Sequence, residues 1–272
     1  MLNLDAGKEA LVEGLGSYSL FVLDGGSPEL VGEGVTLNPG QAAHVEGKSL
    51  RVKAGAAPAL VLVAGVRSAR PGFAPSLRVQ NNAELKKVVK PWGYELWING
   101  EGHPDYALKH IFIKAGTKTS LQYHRIKTET IGIFQGQALL HYRSNPAVSI
   151  DDVTPQDIST ERLEPITVLD VSTNVLHRLE AVSDIHVFEV STPHLDDVIR
   201  VSDDAKRAHG RIASEHVAPL VCILTAGKGS RMGELCKSLN KALLPLGKQA
   251  VISHLISKFP KGSEFVIALG HG

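Results

Sequence analysis

The stretch GTKTSLQYHRIKTETIGIFQG, Gly116 to Gly136, decides how the chain is read. Alternate residues of a β-strand share a face, so Gln122 and His124 point the same way, and Glu129 can return on the next strand across a short turn. An imidazole nitrogen, a carboxylate and an amide oxygen together suit a borderline or hard divalent ion, with zinc the leading expectation and iron, manganese or nickel also compatible. A fourth ligand is expected further along. Buried without a metal, such a cluster would leave polar groups to be paired at about 1–3 kcal/mol each. A bound cation is the more economical reading.

The ordered spacing of Gly116, Gln122, His124, Glu129 and Gly136 resembles the first motif of the cupin superfamily, with glutamine in place of the usual first histidine. Ser120-Leu121-Gln122-Tyr123-His124 resembles the metal site of phosphomannose isomerases. Lys90-Pro91-Trp92-Gly93-Tyr94-Glu95 resembles the opening of isomerase-type cupins, and HLDDVIRVSDDAKR resembles their closing segment. There Asp203-Asp204-Ala205-Lys206-Arg207 departs from the usual DDYGR-like run. The resemblance covers about residues 85–207. It implies a small barrel whose last metal ligand comes from a second motif, matched by His177 in LDVSTNVLHRLEA.

The remainder frames or extends this barrel. A chain of 272 residues is long enough for two compact units with real cores. Its 29 basic and 28 acidic residues nearly cancel, which argues against a nucleic-acid surface. Cys222 and Cys236 have no paired metal-ligand spacing, and Cys222, in an apolar run, is expected in a core. Neither a signal segment nor a membrane-spanning apolar run is evident, so a cytoplasmic protein is expected.

Residues 1–80 read as short strands punctuated by Gly25-Gly26 and Pro39-Gly40, the pattern of a sandwich or barrel. Their order resembles a second cupin lobe, but no His-x-His or Gln-x-His precedes the Gly25-Gly26 turn. This lobe is expected to be degenerate and structural, giving a mainly β, bicupin-like pair of double-stranded β-helix (jelly-roll) lobes. Within the second lobe, IGIFQGQALLHYRS is expected to be a hairpin turning at Gly136, and HVFEVSTPHLDDVIRV a strand followed by a short helical or coiled segment. YALKHIFIKAG alternates so that Lys109 either points into the barrel or stands as an exposed cation on a sheet edge. Arg200 offers a guanidinium fork that suits phosphate.

After the charged linker RVSDDAKRAHGRIASEH, Leu220-Val221-Cys222-Ile223-Leu224 reads as a buried parallel strand opening a Rossmann-like β-α-β unit, residues 218–272. LTAGKGSRMG with NKALLPLGKQAVISHLI resembles the N-terminal signature of sugar-1-phosphate nucleotidyltransferases. Gly227 and Gly229 would admit a nucleotide close to the backbone, Arg231 would supply charge at the triphosphate, and Lys241, by the match, would contact a phosphate. Only the opening of that fold is present, so no nucleotidyl transfer is expected. Nucleoside triphosphate and magnesium belong to a complete parent acting as a sugar-nucleotide pyrophosphorylase.

The resemblance implies a metal-dependent sugar-phosphate isomerase of the mannose-6-phosphate type, interconverting aldose and ketose through an enediol. The metal, held by Gln122, His124, Glu129 and His177, would polarise the substrate oxygens. Lys109 is the candidate base, with a pKa brought toward neutrality, and Arg200 the phosphate contact. The alternatives are a non-catalytic cupin that binds a sugar phosphate or sugar nucleotide and regulates the transferase, and a metal-free sugar epimerase. A homodimer is compatible with exposed barrel sheets.

Overall fold

A computed structural model describes residues 1–67, 74–143, 149, 152–216, 220–225, 234, 239–259 and 263–268. The chain divides into two compact units, Met1–Glu215 and His216–Gly272.

The first unit contains two β lobes. Strands β1 (Leu2–Leu4), β2 (Glu9–Val12), β3 (Ser17–Gly25), β4 (Glu29–Val31), β5 (Val35–Thr36), β6 (Ala42–Glu46), β7 (Leu50–Lys53), β8 (Ala59–Val66) and β9 (Ser76–Gln80) make the first. They form a sheet β1-β8-β3-β6-β9 and a sheet β2-β7-β4-β5. Strands β10 (Lys86–Lys90), β11 (Gly93–Asn99), β12 (Ala107–Ile113), β13 (Leu121–Tyr123), β14 (Glu129–Gln135), β15 (Ala138–Arg143), β16 (Ile158–Leu163), β17 (Val168–Val171), β18 (His177–Ala181), β19 (Ile185–Ser191) and β20 (Ile199–Ser202) make the second. Their sheets run β10-β11-β12-β19-β14-β17 and β16-β15-β18-β13-β20.

The lobes repeat one topology. Pairings β1–β8, β8–β3, β3–β6, β2–β7, β7–β4 and β4–β5 recur in chain order as β12–β19, β19–β14, β14–β17, β13–β18, β18–β15 and β15–β16, all antiparallel. Each lobe encloses a core between its two sheets. Leu20, Val22, Val45 and Val61 meet Leu30 and Val52 in the first; Ile113, Ile133, Ile185 and Val187 meet Leu163 and Leu179 in the second. Alternation places these side chains inward, and each full burial contributes about 1.5–3 kcal/mol. A third core joins the lobes through outward faces, with Phe21, Ala42 and Ala64 packed against Ile98, Leu108 and Phe188.

Gly136 corrects the hairpin expectation. Strands β14 and β15 lie in different sheets, so the glycine turns a corner between them. Its φ is +85°, and a Cβ there would lie 2.1 Å from the Asp184 carbonyl oxygen, so only glycine fits. Residues 199–202 form strand β20 against β13 instead of a helical or coiled closure. A short helix α1 (Ala213–His216) follows.

In the second unit, β21 (Leu220–Leu224) pairs in parallel with β24 (Glu264–Ala268). Between them lie the two-residue strands β22 (Pro245–Leu246) and β23 (Gln249–Ala250) and helix α2 (Val251–Ile256). Cys222 is exposed, against the expectation of a core position, and Leu224 is 78% exposed. A parallel pair needs cover on both faces, and α2 is the only α-helix among the described residues between its strands. Among the described residues no helix is long and apolar enough to cross a membrane.

Candidate metal centre

The second barrel is apolar at one end and charged at the other. Along β19 the inward positions run Ile185, Val187, Glu189, Ser191; along β12 they run Ile113, Ile111, Lys109. His124 stands one residue past β13, Glu129 opens β14 in the opposing sheet, and His177 opens β18. One ligand atom from each lies within 4.8 Å of the others. All three are buried, His124 completely.

Hydrogen bonds fix both rings. Asp197 O and Val175 O are carbonyl acceptors, so His124 and His177 carry the proton on Nδ1 and donate from it, His177 at 3.0 Å. Each Nε2 is thereby turned toward Glu129 Oε1, at 2.9 Å from His177 and 3.5 Å from His124. His124 Nε2 is buried without a hydrogen-bond partner among the described residues. Second acceptors of this kind orient histidines that bind metals. Two imidazole nitrogens and a carboxylate meeting among buried residues fit a divalent cation.

The Asp197 carboxylate accepts the backbone N–H groups of Arg125 (3.2 Å), Ile126 (2.6 Å) and Lys127 (2.8 Å), which sets the loop between His124 and Glu129. Partial burial would raise its pKa, but these donors hold it below the usual carboxylate value. Gln122 Cα pairs with His177 on one side and with Arg200 on the other, so the three form a row across β18, β13 and β20. The Ser120 hydroxyl donates to Gln122 Oε1 at 2.6 Å, orienting the amide beside the three-residue cluster.

A ladder of buried charge leads away from the cluster. Lys127 Nζ contacts Glu129 Oε2 and lies 3.3 Å from Glu189 Oε1. Lys109 Nζ lies 3.4 Å from that same Glu189 oxygen and 3.7 Å from Glu95 Oε2. Lys90 continues the ladder to Glu95 at 3.5 Å and Glu215 at 2.8 Å. Burial alone would raise the Glu95 pKa; Lys109, Lys90 and the Trp97 indole N–H outweigh it and hold the group at about 2. Glu129 is likewise held well below the usual range, where burial is outweighed chiefly by the Lys127 ammonium.

Lys109 points into the barrel, but not as a poised base. Burial would lower its pKa, yet Glu189 and Glu95 outweigh that and raise it, so it is a fixed ammonium. Its Nζ also lies 5.0 Å from the Trp97 ring centroid. Arg200 is half-buried, with Nη1 donating to the carbonyls of Ala208 and Gly210. Gly227, Gly229 and Arg231 lie outside the described residues. Lys241 is exposed and opens a 3-10 turn that is capped when Asn240 Oδ1 accepts the Ala242 N–H.

Sequence reasoning missed Lys127, Glu189 and Asp197, and did not assign Glu95 a role. Glu189 carried a signal, a carboxylate at an inward position of an alternating strand. Lys127 carried none, since its partners come from other strands.

No protein-family model and no curated protein matches the chain. Solved structures do. The oxalate decarboxylase of Lactobacillus farciminis, in a formate complex, superposes with a TM-score of 0.53 at 13% identity, over 73% of this chain and 77% of that one. The Escherichia coli protein Ylba gives 0.52 at 14% identity, over 70% and 75%. The Bacillus subtilis oxalate decarboxylase, a protein with Mn(II) centres, gives 0.52 at 11% identity, over 73% and 69%. At these identities the likeness is one of fold, and the fold is that of the cupins.

Proposed function

We propose that residues 85–207 hold a divalent metal and act on a sugar phosphate, with aldose–ketose isomerisation as the reaction. The observation that carries the metal reading is the convergence of His124 Nε2 and His177 Nε2 on Glu129, both rings fixed in their tautomers and His124 Nε2 buried without a hydrogen bond among the described residues. Support also comes from the Mn(II) centres of a protein with the same fold. His124, Glu129 and His177 would hold the ion, with Gln122 the neighbouring fourth donor. When bound, a divalent cation supplies a Lewis acid for the carbonyl and hydroxyl oxygens of the sugar.

The remaining steps fall to the chain's own residues. Arg200, at the far end of the His177–Gln122–Arg200 row, would meet the phosphate, a role supported by its register beside Gln122 and by its guanidinium chemistry. Lys109 and Lys127 supply fixed positive charge near developing negative charge, and the proton transfer is not assigned to Lys109. In the second unit, the parallel β21–β24 pair with α2 between its strands supports reading residues 218–272 as the start of a nucleotidyltransferase, with Lys241 its phosphate contact.

Metal analysis followed by assay on sugar 6-phosphates tests the reading. Bound metal with turnover, both lost in His124→Ala, is the expected result. Turnover in a metal-free protein would point to an epimerase-like chemistry. Ligand binding without turnover would point instead to a regulatory module, a reading favoured by the tightly paired interior.

A further inference from the structure

The buried lysines and glutamates at the charged end of the barrel balance one another. Glu95, Glu129 and Glu189 alternate with Lys90, Lys109 and Lys127, each carboxylate touching two ammonium groups or, for Glu129, one ammonium and two imidazoles. At the outer end, Glu215 and Asp203 are matched by Arg207 and Arg200. Glu129, the only carboxylate of the metal cluster, is thus shared with Lys127 and is not free to neutralise a cation. A divalent ion among His124, Glu129 and His177 would leave two positive charges unmatched among buried groups, which is strongly unfavourable. The same region holds a buried donor with no partner among the described residues, Arg200 Nε, in the row that begins at His177.

We propose that this centre takes its metal together with a dianionic oxyanion, such as the phosphate of a sugar phosphate, each binding weakly without the other. The proposal rests on the metal reading above and adds to it a thermodynamic linkage. Lys127 and Glu189 set the linkage, because they fix how much charge the interior already carries. Such coupling is reciprocal, so the anion must bind more tightly in the presence of metal by the same factor.

The test uses the full chain stripped by a chelator. Manganese(II) binding is measured by equilibrium dialysis, and by the spin-resonance signal of free ion, in chloride and in inorganic phosphate at one ionic strength. Phosphate is expected to tighten manganese binding roughly tenfold to a hundredfold. Lys127→Met, which removes a positive charge, is expected to bind manganese more tightly without phosphate and to depend on it less. Glu189→Gln, which removes a negative charge, is expected to bind it more weakly without phosphate and to depend on it more. Equal manganese affinity with and without phosphate would overturn the linkage while leaving the metal centre standing; so would both variants shifting affinity in one direction. No manganese bound in either medium would overturn the metal reading and this one with it. The wild-type comparison decides alone if either variant fails to fold.

Discussion

The two lobes of the first unit share a topology and differ in what fills it. Each carries a bulge just before its corner glycine: the β3–β8 register shifts between Val22 and Asp24, the β14–β19 register between Ile133 and Gln135. Aligned on Gly25 and Gly136, Tyr18 takes the place of Glu129, and Val63, opposite Leu20, takes the place of Glu189, opposite Ile131. Tyr18 is buried in the first core and spends its hydroxyl on the Lys48 carbonyl at 3.0 Å. One lobe is therefore filled with apolar groups where the other keeps a carboxylate. The backbone supplies positions, and a few side chains decide whether they become a site.

The largest effect should come from Glu129→Ala, which removes a cluster member and strands Lys127 in the interior. Loss of metal and of about 3–5 kcal/mol of stability is expected, read by metal content and urea denaturation. Leu20→Ala, in the other lobe, should cost about 2–5 kcal/mol through its cavity yet leave metal stoichiometry unchanged. If it also empties the metal centre, the lobes are not separable in this way.

Acid should weaken the charged lobe selectively. The Glu95 pKa is depressed from 4.5 unfolded to about 2 folded, so its contribution is fully present above about pH 4.5 and is lost as pH falls toward 2. The urea midpoint should decline across that window, and Glu95→Gln should flatten the decline. Asp197→Ala should cost about 1–2 kcal/mol by leaving the 125–127 amides without their acceptor, with a measurable drop in metal affinity as the His124 loop loosens. Smallest of all, Lys86→Ala breaks a half-exposed ion pair with Glu101 and should change stability by less than about 1 kcal/mol.

Much of this architecture was legible because it is local. Glycines at strand ends, alternation along β12 and β19, and the spacing of His124 and Glu129 are all written in short windows. The closing strand β20 and the corner at Gly136 were misread because sheet membership depends on distant partners: β14 pairs with β17 and β19, and β13 with β20. The same non-locality hid the ladder. Glu189 meets Lys127 and Lys109 only once β12, β19 and β14 lie side by side. Periodicity left Lys109 either inward or exposed on a sheet edge; its burial and the direction of its pKa follow from the two acids beside it.

The grip of Asp197 on the 124–127 loop has a kinetic corollary. Its carbonyl holds one imidazole and its carboxylate holds three amides, so the segment that follows β19 is stitched to the loop that joins His124 to Glu129. The Ile126 and Lys127 amides should therefore exchange with solvent only as fast as that segment peels away.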